Sequence, residues 1–277
     1  MNRTCTAALC AMAACAGARA QEAMSTEAAT QPSAGAWYIK QQLRFSRSTT
    51  DPVGFDRDID ELRALTSVYY GLDTDLALGL ILPFVYRDID SPQPGVSEDV
   101  FGLDDFTLRL KWRFWRKDTG PIDTARLSLI ADLEIPSGDN DLSSKSLDPG
   151  LALAYTMIRG RHGLSADLGF KFNASGGDVG ISPGDTGANA LRYDAAYLFR
   201  LAPAQYAQDT HGAWYAALEC NGLYEVSGDN EVFLAPGLMY EGRSWALEAS
   251  VQLPVWQDID HRPERDFVVI LGLRLFF

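Results

Sequence analysis

Residues 266–277 read DFVVILGLRLFF, and the chain stops on the last phenylalanine. Phe267, Val269, Leu271, Leu273, Leu275 and Phe277 recur at every second position, so a β-strand would place all six on one face. The other face is mixed and carries Asp266, Gly272 and Arg274. A soluble domain seldom ends on so apolar a strand. The pattern predicts the closing strand of a transmembrane β-barrel, with Leu273, Leu275 and Phe277 as the signal read by the barrel assembly machinery.

The opposite end fits export. Arg3 supplies a positive start, Thr4 to Ala16 is an uncharged run of small residues, and Ala18-Arg19-Ala20 is an A-x-A cleavage site. Residues 1–20 therefore read as a cleaved signal peptide and 21–35 as a short periplasmic segment, with the barrel spanning 36–277. The chain is expected in the outer membrane of a Gram-negative bacterium, contacting lipid and lipopolysaccharide. An alternative reads Met12 to Cys15 as a lipoprotein box, although a barrel needs no lipid anchor. Cys5, Cys10 and Cys15 lie within the signal, so the mature chain would keep only Cys220, which excludes an internal disulfide or a multi-cysteine metal site.

No later stretch offers the roughly 18 apolar residues of a membrane helix. Mean hydropathy is -0.10, which a barrel tolerates because half of its strand residues face a polar lumen. From Trp37 onward about twelve alternating segments follow one another: 36–47, 60–71, 74–87, 101–115, 123–135, 148–158, 163–173, 188–201, 212–226, 230–241, 243–256 and 265–277. Each can cross a bilayer as a tilted strand of about 9–11 residues, and an even number leaves both termini on the periplasmic side. The fold class predicted is all-β, an antiparallel up-and-down barrel.

Alternation is cleanest where Phe106, Leu108, Leu110, Trp112 and Phe114 interleave with Thr107, Arg109, Lys111 and Arg113. The first set would meet lipid and the second the lumen. Extending the pattern gives the lumen-lining candidates Lys40, Arg44, Arg109, Lys111, Arg113, Arg126, Asp132, Glu134, Asp167, Lys171, Arg192, Asp194, Glu219, Glu248 and Arg274. They either pair across a narrow lumen or line a polar path. Gln41 and Thr66 break the rule by falling on the lipid face. The six tryptophans suit aromatic girdles at the two interfaces.

The charge is one-sided. The chain has 24 basic and 37 acidic residues. With the segment boundaries above, the outer connections hold sixteen acidic against five basic residues, and the inner turns four against five. Such a rim bridges divalent cations to the outer leaflet or enriches cations at a mouth. It disfavours nucleic acid as a partner. Asp56-x-Asp58-x-Asp60 opens like a calcium loop, and Asp139-Asn140-Asp141 echoes it, but neither continues as an EF-hand does. Of three histidines only His261, beside Asp260, suggests a rim hydrolase, and no catalytic residue, metal or cofactor is assigned.

Residues Gly102 to Phe114 (GLDDFTLRLKWRF) resemble the "G-x-G-D, alternating strand, K-Y-R-F" stretch of the outer-membrane family labelled MetA-pathway of phenol degradation, with Asp104 in place of its second glycine. Glu134 to Asp139 (EIPSGD) resembles its "P-T/S-G-D" loop, and Asp148 to Leu153 its next strand start. The resemblance implies a transporter-like barrel passing small hydrophobic or aromatic compounds, the alternative being a structural or surface-interaction barrel with a blocked lumen. These are strand and turn motifs, so they carry over no substrate residue.

Overall fold

A computed structural model describes residues 22–120, 122–139, 142–174, 181, 183–184, 187–207 and 209–277. Residues 1–20, expected to be a signal peptide, lie outside them, as do Asn140, Asp141, Asp178 and Asp185. The described residues form thirteen strands and no helix: β1 (Trp37–Ser48), β2 (Asp58–Gly71), β3 (Leu76–Asp90), β4 (Glu98–Leu103), β5 (Phe106–Asp118), β6 (Thr124–Ile135), β7 (Asp148–Arg159), β8 (His162–Lys171), β9 (Ala190–Ala202), β10 (Gly212–Glu225), β11 (Asn230–Gly242), β12 (Trp245–Asp258) and β13 (Phe267–Phe276).

Every strand but β4 pairs antiparallel with both of its neighbours, and β1 closes onto β13 from Tyr38↔Phe276 to Arg47↔Phe267. This is a closed twelve-stranded barrel. At its seam the Phe277 amide donates to the Trp37 carbonyl at 3.0 Å, and the Trp37 amide returns the bond at 3.3 Å. The terminal residue thus completes the ladder as well as its apolar face.

β4 and β5 are one long strand broken by a bulge. β3 pairs with β5 up to Ile81↔Thr107 and with β4 from Phe84↔Leu103, so residues 104–106 oppose only 82–83. Pro83 has no amide to offer at this point, and its carbonyl takes the Asp104 amide at 3.1 Å. Alternation alone does not show the break, because Asp104 and Asp105 fit a polar interruption of any kind.

Connections at the end carrying both described termini are 72–75, 119–123, 160–161, 203–211 and 243–244, against 49–57, 91–97, 136–147, 172–189, 226–229 and 259–266 at the other. Short turns mark the periplasmic end. Outside, Leu108, Leu110, Trp112 and Phe114 are exposed, whereas Arg109, Lys111 and Arg113 are buried inside. A bulge between Arg113 and Trp115 turns Phe114 and Trp115 both outward. This apolar belt places the barrel in an outer membrane. Five of the six tryptophans, Trp37, Trp112, Trp115, Trp214 and Trp245, sit toward the periplasmic rim, and only Trp256 toward the outer one. The girdle is mainly single. Gln41 and Thr66 do face outward, but they are register partners, and the Thr66 hydroxyl donates to Gln41 Oε1 at 2.6 Å.

Candidate functional site

The lumen contains its own chain. Residues 22–34, expected in the periplasm, enter the barrel from the periplasmic end as a strap that rises to about its middle and folds back. Its far limb is tied down where Gln31 Nε2 donates to the Thr74 carbonyl at 3.1 Å in the first inner turn. Its near limb returns to Glu22, which accepts from Thr30 Oγ1 and from the Arg274 guanidinium. The segment lacks any period of two, so nothing in it announces a strand. Its small residues suit a tight passage: Ala23 and Met24 pack on Ala196, Leu198, Ala213, Tyr215, Ala217 and Met239, and Ala29 on Ile130, Ala152 and Ala154.

The apex is held by backbone groups bonded to wall side chains, which is how an irregular segment survives burial. Glu219, only 1% exposed, accepts from the amides of Met24 at 2.7 Å, Ser25 at 3.0 Å and Thr26 at 2.8 Å, and from the Thr26 hydroxyl at 2.9 Å. The Glu27 amide donates to Asp167 at 2.7 Å and the Ala29 amide to Thr156 at 2.8 Å. Strap carbonyls take the cations: Lys40 donates to Met24 O at 2.7 Å and Lys111 to Ala28 O. Ser128 Oγ donates to Ala29 O at 3.0 Å.

All fifteen lumen candidates project inward, but their ion pairs run along the wall rather than across the lumen. Arg109 grips its register partner Asp132 through two bonds of 2.7 Å and also reaches Glu27. Lys171 pairs with Glu134 at 2.8 Å, Arg192 with Asp167 at 3.0 Å and Asp194 at 3.3 Å, and Arg274 with Glu248. Arg113 donates to Asp75 at 2.9 Å and Arg126 to Thr124 at 3.1 Å. Among the described residues Arg44 bonds only Gln42 Oε1, at 3.0 Å. What spans the lumen is the strap, which pattern reading missed; the surplus of cations without a neighbouring carboxylate, Lys40 and Lys111 among them, is the signal that could have found it. Leu273 and Phe277 lie exposed on the membrane face, with Leu275 half-buried beside them.

The strap divides the interior. A cavity of about 380 Å³ extends from Tyr38 and Tyr69 outward to Arg44, Glu231 and Arg265, and a neighbour of about 300 Å³ sharing Ile81, Arg109 and Arg192 extends it past Glu134 and Lys171. A separate cavity of about 190 Å³ opens at the periplasmic end between Trp37, Arg116, Arg126 and Phe277. Glu22, Thr30, Gln31 and Pro32 line both the 380 Å³ cavity and the periplasmic one.

At the outer rim Arg262, fully buried, joins Glu225 at 2.7 Å and Glu231 at 3.2 Å. His261 Nδ1 lies 2.9 Å from Asp229, not from the adjacent Asp260, and that hydrogen bond raises the imidazole above its ordinary range. Asp51 is held by Arg57 at 2.6 Å; burial opposes its ionisation, but the hydrogen bonds and charge of Arg57 prevail and keep its carboxyl low. The family-like motifs form one loop anchor. Asp105 accepts from the amides of Ser137 at 2.9 Å, Gly138 at 2.8 Å and Ser144 at 2.8 Å, and Asp139 from the Leu103 amide at 2.9 Å. A Cβ on Gly102 would run into the Asp139 carboxylate, and one on Gly138 would stand 3.0 Å from the Leu103 and Asp104 backbone. These glycines permit the close approach.

The sequence profile of the family described as "Putative MetA-pathway of phenol degradation" matches residues 43–269. No curated protein matches the chain at the sequence level. Among solved structures, an outer membrane channel from Pseudomonas putida F1 superposes with a TM-score of 0.64 at 15% identity, covering 93% of this chain and 100% of that one. The NanC porin gives a TM-score of 0.47 at 9% identity, covering 86% of this chain and 98% of that one.

Proposed function

The chain belongs to the MetA-pathway of phenol degradation family, and from that premise we propose that it is a passive channel for small molecules across the outer membrane, closed at rest by residues 22–34. One observation carries the reading: a single strap of chain separates a wide outer cavity from a periplasmic one, and the same four residues line both. Beside the small apolar contacts of Ala23, Met24 and Ala29, the partition is held by many hydrogen bonds, which water can replace when it leaves. A purely structural barrel has no need of such a partition. The likeness in fold to the channel from Pseudomonas putida F1 supports the reading, and the family description points to hydrophobic or aromatic compounds as cargo.

Conductance across planar bilayers tests this. Protein lacking residues 22–31 should conduct several-fold more than the full chain, with swelling of liposomes in small neutral solutes rising in parallel. A correctly folded barrel that conducts nothing with or without the strap would leave only the blocked, structural reading, for which the density of strap bonds is the favouring observation.

A further inference from the structure

Nearly every arginine on the outer half of the lumen is neutralised by a carboxylate. Arg63 has Glu61 at 3.0 Å and Asp104 at 2.9 Å, Arg192 has Asp167 and Asp194, Arg262 has Glu225 and Glu231, and Arg265 has Glu231. Arg44 is the exception. Among the described residues no carboxylate lies within ion-pair range of it; one Nη donates to Gln42 Oε1, and its Nε is buried with no partner. Its surroundings add positive charge. Arg63 is its register partner on β2, and Arg265 lines the same cavity. Like charges opposite one another in a sheet are unfavourable, and an unpaired guanidinium in a partly dry interior more so.

We propose that Arg44 is the anchor of an anion-binding subsite in the outer cavity, and that its ligand is a small carboxylate carrying an apolar or aromatic body. The free edge of one guanidinium presents two parallel donors, which match the two oxygens of a carboxylate. The apolar part of the same lining, Leu65, Tyr69, Ile81 and Phe233, provides a surface for a hydrocarbon or ring. At about 380 Å³ the cavity falls within the usual range for small-molecule pockets. Cations outnumber acids on its wall: Lys40, Arg44, Arg109, Lys111, Arg192 and Arg265 against Glu22, Glu27, Asp194 and Glu231. The acidic rim outside does not cancel this, because its field is screened within about 8 Å at physiological salt. This subsite deepens the channel reading and rests on it for its physiological meaning.

Equilibrium binding to the full mature chain, refolded in detergent micelles and verified by its heat-modifiable band, tests it by titration calorimetry with benzoate, benzyl alcohol and acetate. Benzoate should bind at least about tenfold more tightly than either of the others, a difference of ~1.4 kcal/mol. Arg44→Gln should bring benzoate down to the level of benzyl alcohol, and Arg44→Lys should recover part of the loss. Unchanged benzoate affinity in Arg44→Gln would overturn the proposal, as would acetate binding as tightly as benzoate in the wild type. Binding needs no conduction, so the two ideas fail separately. A barrel that binds benzoate but never conducts removes the channel, and one that conducts but is blind to benzoate removes the subsite.

Discussion

Glu219→Gln is the sharpest perturbation of the strap, because it changes one charge and almost no volume. The carboxylate accepts four donors from residues 24–26, three of them backbone amides. A glutamine keeps one acceptor oxygen and turns a donating NH2 toward the rest. Hydrogen bonds to a charged group contribute about 1.5–3 kcal/mol against about 0.5–1.5 for neutral ones, so four weakened bonds give a gross loss on the order of 4 kcal/mol. Water from the adjoining cavity reclaims some of it, leaving a net shift of about 2–3 kcal/mol, or roughly 30- to 150-fold in the ratio of docked to released strap. Single-channel recording at fixed voltage reads that ratio as the open fraction. Thr156→Val, which removes one acceptor from the Ala29 amide, should shift it by only about 1–2 kcal/mol. A folded Glu219→Gln barrel with the open fraction of the wild type would refute the strap as the closure.

Further outcomes are expected elsewhere. Deleting Phe277 removes two seam hydrogen bonds and the end of the apolar face, and should abolish the heat-modifiable band in cells; wild-type levels of folded protein would count against its role in assembly. Thr66→Val takes from Gln41 Oε1 the hydroxyl that donates to it and should cost roughly 1 kcal/mol in urea unfolding from liposomes, whereas Gln41→Leu combined with Thr66→Val should recover it. Asp105→Ala frees three loop amides and should speed proteolysis within 136–147 several-fold, with the barrel itself intact. His261 has a raised pKa through Asp229, so its contribution is full below the unfolded value of about 6.5 and fades as pH climbs through the folded one. Hydrogen exchange of residues 259–263 in wild type and His261→Ala should therefore differ at pH 5 and converge at pH 9.

Much of this architecture is legible from alternation alone, because a period of two is imposed on every strand by having lipid on one side and water on the other. Arg109, Lys111 and Arg113 announce the lumen in that way, and Leu273 with Phe277 the membrane. Pairing is not legible in the same way. Arg109 meets Asp132 directly across one strand gap, yet Lys171 reaches back two strands to Glu134, a choice set by register and stagger that no single segment encodes. The strap is illegible for a deeper reason. Its alanines, serines and threonines are chosen for what surrounds them, and an aperiodic small-residue segment reads the same in a lumen as in the periplasm. Asp104 alone departs from the family pattern, whereas Asp105 keeps the pattern's aspartate, and only the β4/β5 bulge shows it holding the next outer loop.

The strap returns toward the end from which it enters, with Glu22 facing the periplasmic cavity and bonded to Thr30. A bight of rope can be drawn out and pushed back without passing its free end through the hole, and the same topology applies here. Reopening and reclosing need no rethreading, and a reporter joined ahead of residue 22 would ride in the periplasm rather than obstruct the pore.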